Sequence, residues 1–229
     1  PYKRRVLGTY VLLAETMELL AREKSSLAKA KDTDQKRRPQ SIPLGFEQDT
    51  EVLAESVPFK GIGSQRYEGR VSGGEVVRWT GQAVVETVKE ILITKPTVRV
   101  ESPTAYMIPQ AWSDVVERIA LHGIEVKQIE EPLTTLAEVY RLPDAAIAEP
   151  SEWTPNPFEG HILIAPGEPE IQLIETTFPV GSFLISTDQP LGELLMLLLE
   201  PQAPDSFLQW GFFLEIFTRT EYAEAYVLE

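Results

Sequence analysis

The chain has 229 residues, of which 43% are hydrophobic and 24% charged, a composition that builds a buried core and is not that of a disordered polypeptide. A formal net charge of −14 and a pI near 4.7 oppose generic binding to nucleic acid, since phosphate contact requires clustered Lys and Arg. The absence of cysteine excludes disulfides, thiol catalysis and Cys-ligated zinc or iron–sulfur sites.

Charge is unevenly distributed. Residues 1–40 carry 10 basic and 5 acidic side chains, leaving 11 basic against 30 acidic in the remainder. The runs "YKRR" and "QKRR" read as solvated helix flanks, with a nucleic-acid-binding arm as the alternative. No initiator methionine or signal peptide opens the chain, and "PYKRRVLG" reads as the interior of a longer polypeptide.

Residues 5 to about 30 show helical periodicity. Val6, Tyr10, Leu13, Met17, Leu20 and Leu27 follow steps of four and three, with Lys24 at the missing position. Leu7, Val11, Ala14 and Ala21 widen the stripe in the first half, which predicts a first half packed against a body and a second half projecting. A coiled coil is the alternative, weakened by Lys24.

The segment "KDTDQKRRPQSIPLG" ends this helix and marks a boundary, giving residues 1–45 as helix and linker and 46–229 as a second domain. From Glu51 onward Val, Ile and Thr dominate short segments. Strands are predicted at 52–59, 75–80, 90–94 and 97–100, with "SGGE" as a tight turn.

Residues 105–129 read as a small β-α-β element. A strand at Tyr106–Ile108 stops at Pro109, and Ser113 caps a helix whose buried face is Val115, Val116, Ile119 and Ala120. Gly123 closes the helix, and Ile124, Val126 and Ile129 begin a strand. Past an acidic loop, residues 160–187 read as a β-meander with turns at Pro166-Gly167 and Pro179–Gly181. Two short helices follow, at 190–200 and 205–217, the second capped by Asp205 or Ser206. The longest apolar run, Leu194–Leu199, is far short of the roughly 20 residues of a membrane-spanning helix. The fold class expected is α+β: a long N-terminal amphipathic helix, then a mostly β domain with one β-α-β element and two short C-terminal helices.

Candidate chemistry is sparse. His122 and Glu125 share the HxxE spacing of some zinc ligands, and His161 is the second of two histidines in the chain. With His122 in a last helical turn and Glu125 beyond the glycine, the two side chains need not converge, and a helix-end histidine is the favoured reading. Ser72 and Ser182 lack the G-x-S-x-G context of a nucleophile elbow and read as turn and strand serines. Acidic residues abound, but no pair stands out for glycoside hydrolysis. Trp112 and Trp210 flank apolar helical faces and read as core. Trp153, in "PSEWTPNPF", is the candidate ligand contact, and with Trp79 completes the tryptophans.

Three segments together carry a family resemblance. Residues 1–20, "PYKRRVLGTYVLLAETMELL", resemble the helix that follows the catalytic glutamate in large, mainly bacterial zinc carboxypeptidase-like proteins of the M14 peptidase family. Residues 105–126 and 178–229 resemble their region beyond the peptidase domain, the second most specifically through the order "STDQPL", "LLEP", "PDS", "WGFF" and "EYAE". In that family zinc is held by two histidines and a glutamate while a separate glutamate serves as general base. The resemblance implies that these residues lie upstream of Pro1, so no catalytic, cofactor-binding or metal-ligating position is assigned within this chain. It further implies a partner peptidase domain in cis, a peptide substrate for the parent protein, and a periplasmic or secreted location. The expected role is a non-catalytic C-terminal portion, inactive alone. The rival reading is an independent peptide- or glycan-binding module. Without the peptidase body, the apolar stripe of the first helix is expected to pack on the accessory domain or to form a homodimer.

Overall fold

The structure, a computed structural model, describes residues 2–49, 56–149 and 163–217. The architecture is α+β, a long N-terminal helical segment followed by small sheets and short helices. Two compact units are formed, one from Pro1–Leu44 with Arg99–Glu229 and the other from Gly45–Val98.

The first unit opens with α1 (Tyr2–Arg22) and α2 (Lys24–Gln35). They are nearly continuous, since the Glu23 and Leu27 N–H groups donate to the carbonyls of Leu19 and Glu23. The expected packing of the first half against a body is not found: no residue of either helix is buried, and Tyr10, Leu13 and Met17 are 60–68% exposed. A periodic stripe specifies which face is apolar, whereas its cover must come from elsewhere. At the end of α2 the basic run engages the body. Arg37 pairs with Glu193 at 2.9 Å and Arg38 with Asp188 at 2.8 Å, so "QKRR" is a tether here.

The core of this unit is a split β-α-β arrangement. β5 (Ala105–Ile108) and β6 (Lys127–Gln128) both run antiparallel to β11 (Phe183–Ser186), which lies between them in the order β5-β11-β6. Helix α3 (Ser113–Leu121) connects the outer strands. Its Val115, Val116 and Ile119 pack with Ile108, Ile124, Ile185, Leu195 and Phe207, all at or below 7% exposure. Two details differ from expectation. Ser113 lies inside the helix behind a 3-10 turn at Gln110–Trp112, and Ala120 faces solvent. Gly123 closes the helix at φ +85°, a conformation that strains residues with a Cβ.

The expected meander is corrected. β9 (Ile164–Ala165), β10 (Glu170–Phe178) and β11 do follow in sequence, with glycines at positive φ in both turns, yet none pairs with its neighbour. β10 pairs instead with β7 (Leu133–Arg141) in nine-residue register, and β9 with β8 (Ala146–Ile147). Of the two C-terminal helices, α4 (Gly192–Leu199) forms as expected. Residues 207–213 are turns in which Gly211 adopts φ +76°, a conformation that does not continue a helix, and only Leu214–Phe217 is a 3-10 helix.

The second unit is dominated by a long hairpin, β2 (Ser56–Glu68) with β3 (Glu75–Lys89), closed by a turn that contains Ser72, Gly73 and Gly74. A bulge between Ile62 and Ser64 shifts its register. β1 (Ser41–Gln48) pairs with β4 (Ile93–Glu101), and each of these strands contributes residues to both units.

Candidate functional site

His122 is the residue that ends α3, its N–H donating to Ile119 O, and its side chain is exposed. Glu125 is held by its backbone. Its N–H donates to Gln189 Oε1 at 2.7 Å, while Gln189 Nε2 donates to Glu125 O at 3.2 Å and Ser186 O at 2.7 Å. Gln189, 7% exposed, thus mimics a neighbouring strand and fixes the chain after the helix, leaving the Glu125 carboxylate to solvent. Among the described residues no group of three or more His, Asp and Glu side chains could hold a metal ion. His122 and Glu125 belong to no such group. His161 and Trp153 lie outside the described residues.

Neither serine is placed for nucleophilic attack. Ser72 Oγ accepts from the Gly74 N–H at 3.3 Å within the hairpin turn. Ser182 is fully buried, and its Oγ has no hydrogen-bond partner among the described residues, which removes it from any external substrate.

A buried polar centre lies at a position that the sequence did not single out. Glu200 follows the apolar run of α4 and is 2% exposed. It accepts hydrogen bonds from the hydroxyls of Tyr106, on β5, and Tyr140, on β7, the latter at 2.6 Å. Burial, reinforced by the adjacent Glu200 carboxylate, raises both tyrosines above their ordinary range, so both remain neutral donors at physiological pH. The cluster joins α4, the three-stranded sheet and the β7–β10 ribbon. The available signal was an acidic residue placed directly after "LLMLLL", a position where a charge must be paired if the run is buried.

Two cavities flank this framework. One, of about 360 Å³, is lined by Arg37, Arg38, Ser102, Asp188, Glu193 and Met196, and its guanidinium groups are engaged by its own carboxylates. The other, of about 450 Å³, lies between β9 and Trp210, with Leu163, Ile164, Pro166 and Gln209 in its wall. The Trp210 indole N–H donates to Asp205 Oδ1 at 3.2 Å. Trp112 packs edge-on against Phe213 at 4.8 Å between ring centres, beside the core as expected. Neither of these two cavities is lined by Glu200, Tyr106 or Tyr140.

Known proteins supply the remaining comparison. The chain is 29% identical over 119 residues to carboxypeptidase 2 of Trichophyton rubrum, covering 51% of this chain and 20% of that protein. It is 30% identical over 111 residues to carboxypeptidase 2 of Trichophyton equinum, covering 48% and 19%, and a Trichophyton tonsurans carboxypeptidase 2 matches at the same identity and length. About half of the chain is similar to these carboxypeptidases. The match spans about one fifth of the length of these curated relatives. No family model and no solved structure matches the chain. No helix among the described residues is long and apolar enough to cross a membrane.

Proposed function

We propose that this chain is the non-catalytic C-terminal portion of an M14-type zinc metallocarboxypeptidase-like protein. Residues 1–45 act as the closing helix of the peptidase domain with its linker, and residues 46–229 act as an accessory domain. The observation that carries this reading is the open apolar face of α1. A face holding Val6, Tyr10, Leu13 and Met17 at 50–68% exposure calls for a cover, and a peptidase domain in cis would supply it. Carboxypeptidase similarity confined to about one fifth of the relatives' length supports the same reading. Zinc, the general base and the peptide-binding arginines would then belong to the upstream domain, where the parent hydrolyses C-terminal peptide bonds.

Metal content tests the assignment. The chain is equilibrated with micromolar zinc, dialysed against metal-free buffer and analysed for bound metal beside His122→Ala. Substoichiometric zinc in both is expected. One zinc per chain that disappears on His122→Ala would place the site within residues 1–229 and overturn the reading.

A further inference from the structure

Among the described residues, the hairpin of the second unit leaves an unpaired edge on β3. Strands β2 and β3 form a two-stranded sheet, 13 and 15 residues long, and two-stranded ribbons are marginal without further pairing or a covering layer. On β3, Val77, Trp79 and Val85 are 43%, 69% and 68% exposed. Long edges of this kind template pairing with another chain unless they are blunted. β2 contains Pro58, which cannot donate to a ladder, whereas β3, "EVVRWTGQAVVETVK", contains no proline.

The order of charges along β3 identifies what the edge fits. Glu75 and Arg78 precede Gln82 by seven and four residues, and Glu86 and Lys89 follow it by four and seven. The strand therefore reads as its own electrostatic complement when reversed about Gln82. We propose that β3 pairs antiparallel with β3 of a second copy of this chain, the two-fold axis passing at Gln82. This register sets Arg78 opposite the partner's Glu86 and Glu75 opposite the partner's Lys89. It also sets Val76 opposite the partner's Val88, Val77 opposite the partner's Thr87 and Trp79 opposite the partner's Val85. A slip of two residues in either direction leaves all four charges opposite uncharged residues, so charge fixes the register. The bulge around Gly81, at φ +81°, interrupts the centre and leaves two symmetric ladders, each of residues 75–79 against 85–89. Arg78, Glu86 and Lys89 form no ion pair among the described residues. Glu75 is engaged by Arg66 at 2.7 Å, so the Arg78–Glu86 pair is the discriminating one.

Sedimentation velocity of the full chain over a concentration series tests the pairing. The unmodified chain is expected to dimerise, and either Arg78→Glu or Glu86→Arg alone to raise the dissociation constant about tenfold or more, since each reversal places like charges opposite one another at two symmetric positions. The double variant restores the dimer, and an equimolar mixture of the two single variants forms a heterodimer. A monomer throughout the series, a dimer indifferent to both reversals, or a double variant as weak as the singles would each overturn the proposal. Indifference to both reversals would instead direct attention to the apolar face of α1.

Discussion

Gly192→Ala is expected to destabilise the first unit by about 3 kcal/mol or more, the opposite of what alanine ordinarily does in a helix. Gly192 is buried in the first turn of α4. A Cβ there would overlap the Thr187 carbonyl oxygen and lie 2.9 Å from its carbon. Thr187 cannot retreat freely: its N–H donates to Thr104 O at 3.2 Å and its hydroxyl to Pro103 O at 2.5 Å. Relief therefore requires moving α4 away from Ile119 and Ile185, opening the core around Leu195. Gly8 in α1 has open space around its Cβ position, so Gly8→Ala should be neutral or favourable by about 0.5–1 kcal/mol. Urea unfolding followed by far-UV and near-UV circular dichroism measures both. A Gly192→Ala chain as stable as the parent would mean that α4 does not pack on the Thr187 turn as described.

Loss of the tyrosine hydroxyls around Glu200 is expected to have the next largest effect. Hydrogen bonds to a buried charge contribute about 1.5–3 kcal/mol, so Tyr106→Phe and Tyr140→Phe should each cost about 2 kcal/mol, and the double variant should leave a carboxylate at 2% exposure without its two donors. The same pair predicts an alkaline limit. In the unfolded chain a tyrosine titrates near 10.0, while burial and the Glu200 charge hold both above that value in the folded state. Above pH 10 the unfolded chain has released protons that the folded chain retains, so this contribution is complete below pH 10 and declines as pH rises beyond it. Unfolding midpoints at pH 8, 10 and 11 should show a steeper alkaline decline for the parent than for the double Phe variant. Parallel declines would contradict the clamp.

Local signals in the sequence located elements better than they located partners. The apolar stripe of α1 and the glycine that ends α3 are short-range features, and both are found where periodicity and the need for positive φ place them. β7 was missed because its alternation is masked. Thr135, Ala137 and Val139 face inward while Leu136 is 61% exposed, so apolar character does not mark the buried face. The meander failed for a different reason. Strand order along the chain does not determine pairing, and Thr177 meets Thr134, 43 residues earlier, with their hydroxyls 2.8 Å apart. Glu200 could be identified only once Tyr106 and Tyr140 were brought to it from 94 and 60 residues away. The charge order of β3 was visible as letters, but it acquired meaning when residues 75–89 proved to form one strand, bulged around Gly81, that pairs only with β2 among the described residues.

Hydrolysis separates a catalytic from a non-catalytic chain. The purified 229-residue chain is incubated with N-blocked peptides bearing free C-termini, with and without zinc and a chelator, and released amino acids are quantified. Release indistinguishable from the chelator-treated control is expected of a carboxypeptidase-like chain whose catalytic set lies upstream. Saturable, chelator-sensitive release of the C-terminal residue would contradict that assignment.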